Sequence, residues 1–266
     1  DRQARLVGSE MCIRDSDFWN FRGAYRIGGL LDVGTQCSLV RLASGKFVFL
    51  DSYSIDNRAR REVAQATRDG EDLEAILNVH PFHTMHVERM HELYPGARLY
   101  GTERHLKRFP ELPWEKTATE DPALHQQYAA DFEFSVPRGV DFISSDENLH
   151  FSSVLVYHKA SKTIHSDDTL NYLRLPSPMR MVGLGDSLGF HPTLAKVLQR
   201  RAGAAQEFRE WARDLIERWG DAENLCAAHT AALLADENRG ASIHDRWVKA
   251  LDKVEGTLQA HENKYG

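Results

Sequence analysis

Cysteine is scarce in this chain. The three residues, at positions 12, 37 and 226, form neither a CxxC metal pair nor the closely spaced even set of a disulfide framework. Positive charge is also short, with 33 Lys and Arg against 39 Asp and Glu, a net charge of −6. That balance argues against a nucleic-acid scaffold, which needs a basic stripe. No apolar run approaches the ~18 residues of a membrane span. The first residues lack the basic start, apolar centre and small-residue cleavage site of a secretory signal. The absences together give the expectation of a soluble, cytoplasmic protein that engages neither nucleic acid nor membrane. What is present can build a core: 266 residues, 42% of them hydrophobic, bury one large core or two small ones.

The segment GSEMCIRDS, residues 8–16, resembles the translation of a transposon end used in sequencing libraries. Residues 1–16 are therefore read as a cloning or assembly scar, and 17–266 as a single domain, the alternative being a natural polar tail. Under the scar reading Cys37 and Cys226 are the native cysteines.

From residue 23 onward short strand-like runs alternate with helical ones. QCSLVRL and FVFLDS around the turn ASGK predict a hairpin. NRARREVAQATRDG predicts a helix with Asp56 or Asn57 as N-cap and Gly70 just past its end. EAILNV reads as a buried strand, residues 84–93 as a helix ended by Pro95 and Gly96, and ARLYG as another strand. Residues 106–130, rich in Pro, Glu and Lys, read as a surface excursion or a lid. DFEFSV, SSVLVYH and KTIHS restore strand character. A helix over 204–219, the short strand NLCAAH and a last helix from Ser242 to about residue 262 complete the order. Hairpin, α, β, α, β, then hairpin, α, β, α suggests two similar halves.

The chemistry concentrates in NVHPFHTMHVERMH, where His80, His83, His86 and His91 fall within residues 78–91. His80 closes a strand, His83 sits in a turn stiffened by Pro81, and a helix starting near 83 would put His83 and His86 on one face. Neutral imidazole is the commonest ligand for borderline metals, so convergent histidines predict a metal site. The alternative is a polar helix face with solvated rings, which is the reading taken for His91. A second signal runs from His150 through a hairpin to Asp168, whose ends fold back to one sheet edge. His229 ends a third strand. His191, in the loop LGFHPT, is a substrate-binding candidate. Asp167, His165, Cys226 and Glu88 read as structural or solvated, and VGLGDSLGF does not match a nucleotide-binding glycine pattern.

These stretches, spanning residues about 20–230, resemble the metallo-β-lactamase superfamily. AILNVHPFHTMH is similar to its first metal motif, usually HxHxDH. LHFSSVLVYHKASKTIHSDDTL is similar to the segment from the third-motif histidine to a metal-bridging aspartate, and NLCAAH to the strand before the last histidine. The run HPFHTMHVERMHELYPGARLYGTERHLKRFPEL is closer to an uncharacterised branch whose first motif is altered. The resemblance implies an α/β fold, the αβ/βα sandwich, holding one or two divalent metal ions, Zn foremost, with Fe or Mn as alternatives. It assigns the ligand role to His80, His83 and His86 in the first motif, to His150, to Asp168 as bridging and catalytic carboxylate, and to His229. The first motif has one residue too many and no aspartate. Thr84 and Met85 stand where the carboxylate is expected, and His83 is the residue available to replace it.

The function so implied is metal-dependent hydrolysis of a small-molecule substrate by a metal-activated water. Two rivals use the same fold: a di-iron oxidoreductase, and a relative that has lost catalysis and serves in binding. Pocket walls are expected from the loops around 106–130 and 171–192, with Trp114, Tyr172, Met179, Met181 and Phe190. The last helix offers Ile243, Trp247, Leu251 and Val254 as core or interface, which leaves the oligomeric state open.

Overall fold

The protein is described by a computed structural model covering residues 10–15, 17–23, 26–27, 31–32, 34–174, 185–228, 231–236, 238 and 240–266. His229, Met179, Met181 and most of the first sixteen residues lie outside the described residues. The chain divides into two compact units, Asp1–Asp131 and Phe132–Gly266.

In the first unit, β1 (Glu10–Asp15), β2 (Phe18–Gly23), β5 (Thr35–Arg41), β6 (Phe47–Leu50), β7 (Leu73–Leu77) and β8 (Arg98–Tyr100) form one sheet in that order. Two short strands, β3 (Arg26–Ile27) and β4 (Leu31–Asp32), pair separately. The expected hairpin is β5–β6, and Gly45, at φ +83°, supplies the left-handed residue of its turn. From β6 the sheet continues in parallel through β7 to β8. Parallel neighbours need crossovers, and α1 (Asn57–Thr67) and α2 (Val87–Leu93) supply them. Asp56 is the cap of α1, its Oδ1 accepting from the amides of Arg58 at 3.0 Å and Ala59 at 2.9 Å. Ala59 and Val63 of α1 and Met90 of α2 pack on Leu39, Phe49, Ile76 and Leu99 of the sheet.

Residues 106–130 are not featureless. They contain the end of α3 (Glu103–Arg108) and all of α4 (Pro122–Gln127), capped by Asp121 with Pro122 in the first turn, where a missing amide costs nothing.

The second unit has a five-stranded sheet ordered β15 (Ala232–Leu233), β14 (Asn224–Ala227), β11 (Thr163–Ser166), β10 (Leu155–His158), β9 (Phe132–Ser135). The expected hairpin is β10–β11, and β12 (Leu170–Leu173) pairs with β13 (Ser187–Phe190). A short helix α5 (Leu194–Val197), then α6 (Ala204–Arg218) and α7 (Ile243–Tyr265), complete it. Ser242 caps α7 as expected, its Oγ accepting from the Asp245 amide at 3.0 Å. Phe208, Trp211, Leu215 and Ile216 of α6 join Trp247 and Leu251 of α7 in this unit's core. Tyr172 and Phe190, expected in a pocket wall, also belong to that core. Among the described residues no helix is long and apolar enough to cross a membrane.

Candidate metal centre

Strands β6, β7 and β8 run parallel, so their carboxyl ends lie along one edge, where α/β folds place functional groups. The segment after β7 is held from both sides. Asn78 donates its backbone amide and its Nδ2 to the Tyr100 carbonyl at 3.0 and 2.9 Å. Its Oδ1 accepts from Ser52 Oγ at 2.7 Å, and its carbonyl accepts from Thr119 Oγ1 at 2.8 Å. The Val79 amide donates to Asp51 Oδ1 at 2.9 Å. His80, fully buried, follows at once. A segment with so many fixed neighbours presents its imidazole with little freedom to lose.

Asp51 adopts φ +62°, a left-handed conformation uncommon outside glycine, and it is buried. Ligand atoms of Asp51 and His83 lie within 4.8 Å of one another, as do those of His83 and His80. The two imidazoles stack, with centroids 4.0 Å apart and planes 19° from parallel. His80 Nδ1 accepts from the Phe82 amide at 3.1 Å, which fixes the ring's orientation. Donors sharing one zinc ion, at about 2.0–2.2 Å each, stand about 3–3.5 Å apart. His80 with His83, and His83 with Asp51, thus pair donor types that divalent metals take, each pair within 4.8 Å.

The helix expected over residues 84–93 starts only at Val87, with His86 as its N-cap. Residues 80–84 instead close on themselves, the His83 amide donating to the His80 carbonyl at 3.1 Å and Thr84 to Phe82 at 3.0 Å. His83 and His86 thus do not share a helix face. Nδ1 of His86 lies 3.0 Å from Ser54 Oγ and the ring meets Tyr53 edge-on at 5.2 Å. Burial lowers its pKa.

In the second unit β11 ends at Ser166, so Asp167 and Asp168 lie beyond the strand, both buried. Strand alternation therefore does not set the direction of the Asp167 side chain. Its Oδ1 is 4.0 Å from Nε2 of the buried His165. Cys226, buried, is the β14 partner of His165. The two ends of the β10–β11 hairpin do come together: Thr169 Oγ1 donates to the Phe151 carbonyl at 2.9 Å and accepts from the Ser153 amide at 3.0 Å. His150 precedes this contact, with Nε2 2.9 Å from the Glu147 carbonyl. Nδ1 of His191 lies 2.7 Å from Thr193 Oγ1, whose hydroxyl is also 3.3 Å from the His150 carbonyl. His229 lies outside the described residues.

Sequence reasoning missed two residues of the first unit. Asp51 is the fifth residue of FVFLDS, just past the end of β6, and the hairpin–helix–strand order that predicts β6 and β7 as parallel neighbours was the available signal. His105 is the other. It is fully buried, and desolvation pushes its pKa down to about 4, so it is uncharged at neutral pH. Trp114, expected in a pocket wall, packs instead against His105 at 5.8 Å and donates Nε1 to the Phe109 carbonyl at 2.8 Å.

No family model and no curated protein matches the sequence. Solved structures do match in fold. The metallo-β-lactamase from Pontibacter korlensis is 12% identical and aligns over 94% of this chain and 99% of its own, with a TM-score of 0.55. The metallo-β-lactamase from Erythrobacter litoralis, also 12% identical, covers 94% and 98% with a TM-score of 0.57. FIM-1 from Pseudomonas aeruginosa, in its mono-zinc form, is 9% identical over 95% and 99% with a TM-score of 0.54. The protein shares the α/β fold of these metallo-β-lactamases.

Proposed function

We propose that the protein is a metal-dependent hydrolase acting on a small-molecule substrate. The observation that carries this reading is the stacked His80–His83 pair with the Asp51 carboxylate beside it, on a segment anchored at the carboxyl ends of parallel strands. His80 and His83 would bind the metal, zinc foremost. A bound divalent ion supplies a water of lowered pKa and polarises a scissile carbonyl or phosphoryl group. Asp51 holds the Val79 amide and adds negative charge beside His83, favouring a cation there. His86, His150, Asp168 and His229 stand as further ligands on the strength of the motif resemblance, with Asp168 as the orienting carboxylate. His86 has Nδ1 at Ser54, which leaves its Nε2 to ligate. His191 is proposed to contact substrate.

The test is hydrolysis of ester, lactone, thioester, lactam and phosphoester substrates before and after metal removal. Activity toward one class, abolished by a chelator and restored by Zn²⁺, is expected. Hydrolysis that survives complete metal removal contradicts the proposal.

A further inference from the structure

The turn that opens α3 reaches back to the loop carrying His80 and His83. Nδ1 of His105 accepts from the Thr102 amide at 3.2 Å and lies 3.0 Å from the Thr102 hydroxyl. A backbone amide can only donate, so Nδ1 is the bare nitrogen and Nε2 carries the proton. That Nε2–H donates to the His83 carbonyl at 3.3 Å. One residue earlier, Arg104 donates Nη1 to the Pro81 carbonyl at 3.0 Å and lays its guanidinium 4.4 Å from the centre of the Phe82 ring. Two carbonyls and the aromatic ring between them are thus gripped from one helical turn.

A simpler account makes His105 the third residue of α3, closing a capping box with Thr102. It explains Nδ1 and leaves Nε2 unused, since a cap needs one acceptor. The surroundings also point beyond capping. Gly101 makes the room: a Cβ there would lie 2.7 Å from the His105 Cβ and 2.7 Å from the Trp114 ring. The loop it grips is the unusual one, with Pro81 and Phe82 separating two histidines that the common motif separates by a single residue. A longer loop has more conformations to lose, and outside hydrogen bonds remove them before a metal arrives.

We infer that His105, seconded by Arg104, is a positioning residue that holds the His83 imidazole where it can ligate. The inference rests on the metal reading above and adds to it the group that compensates for the altered motif. His105 touches neither metal nor substrate; it acts through the His83 backbone.

Four variants test it, read by zinc affinity in competition with a chromophoric chelator, by the visible spectrum of the Co²⁺-loaded protein, and by melting of the metal-free protein. His105→Leu should lose about tenfold in zinc affinity, the low end for a supporting hydrogen bond, with an altered Co²⁺ spectrum. His105→Gln can accept from Thr102 and donate to His83 through one amide, and should recover most of that affinity. Thr102→Val removes the hydroxyl, which caps α3 and also lies at Nδ1, but keeps the backbone amide that donates to Nδ1: it should lower the melting temperature and leave zinc affinity within about twofold of wild type, which a merely structural role for His105 would not separate. Arg104→Ala, half-buried and safe for folding, should weaken zinc by a few-fold. The ¹⁵N resonances of the His105 ring in the metal-free protein should show a protonated Nε2. Wild type that loads zinc while His105→Leu and Arg104→Ala bind it equally well overturns this inference alone, as does an Nδ1-protonated ring. Wild type that takes up no zinc overturns the metal reading and this inference with it.

Discussion

Asp51 shows how a single carboxylate serves two ends. Its Oδ1 satisfies the Val79 amide, the last backbone donor before His80, and its charge faces His83 within 4.8 Å. Substitutions separate these roles. Asp51→Asn keeps an oxygen for the amide and loses the charge, so it should melt near wild type yet bind zinc less tightly. Asp51→Ala also leaves a buried amide without its acceptor, which costs about 1–3 kcal/mol. Urea unfolding beside zinc titration distinguishes the pair; equal zinc affinity in all three proteins would remove Asp51 from the centre. Its role was hard to read from sequence because a lone Asp at a strand end carries no periodic signal, whereas His80 and His83 announce themselves by spacing. His105 was hidden for a similar reason: capping position and burial depend on where α3 begins and what packs over it.

Elements were more legible than their junctions. The β5–β6 hairpin, α1 with its Asp56 cap, β7, β8, the β10–β11 hairpin, α6 and α7 all fall where hydrophobic period and turn chemistry put them. The start of α2 did not, because the loop from His80 to His86 is tied to α3 and to itself rather than wound as helix. That tertiary hold keeps residues 84–86 out of the helix, while the rhythm of Val87, Met90 and Leu93 is realised in α2. Residues 106–130 hid α4 because its six residues are too few to display a period. The tight turn between β8 and α3 gives a prediction at this scale. Gly101→Ala places a methyl 2.7 Å from both His105 and Trp114, and overpacking of this kind costs about 1–3 kcal/mol. Urea unfolding should show that loss, together with weakened zinc binding; an unchanged midpoint would mean that α3 does not sit tightly on the turn.

At the scale of the molecule, the order of strands and helices fixed the class, and structures only 9–12% identical in sequence share the fold over nearly their whole length. A fold is specified by pattern and burial, which survive where individual residues do not. Function is specified by the donors at strand ends, and those depart from the usual motif here. HPFHTMH, lacking the motif's aspartate, is nonetheless proposed to make a metal site. Elemental mass spectrometry of protein purified without chelators or affinity-tag metals tests it most directly, beside a His80→Ala/His83→Ala variant. One or two equivalents of zinc are expected in wild type and none in the variant. Wild type that stays metal-free after incubation with Zn²⁺, Fe²⁺ or Mn²⁺, or a variant that keeps its metal, would contradict it.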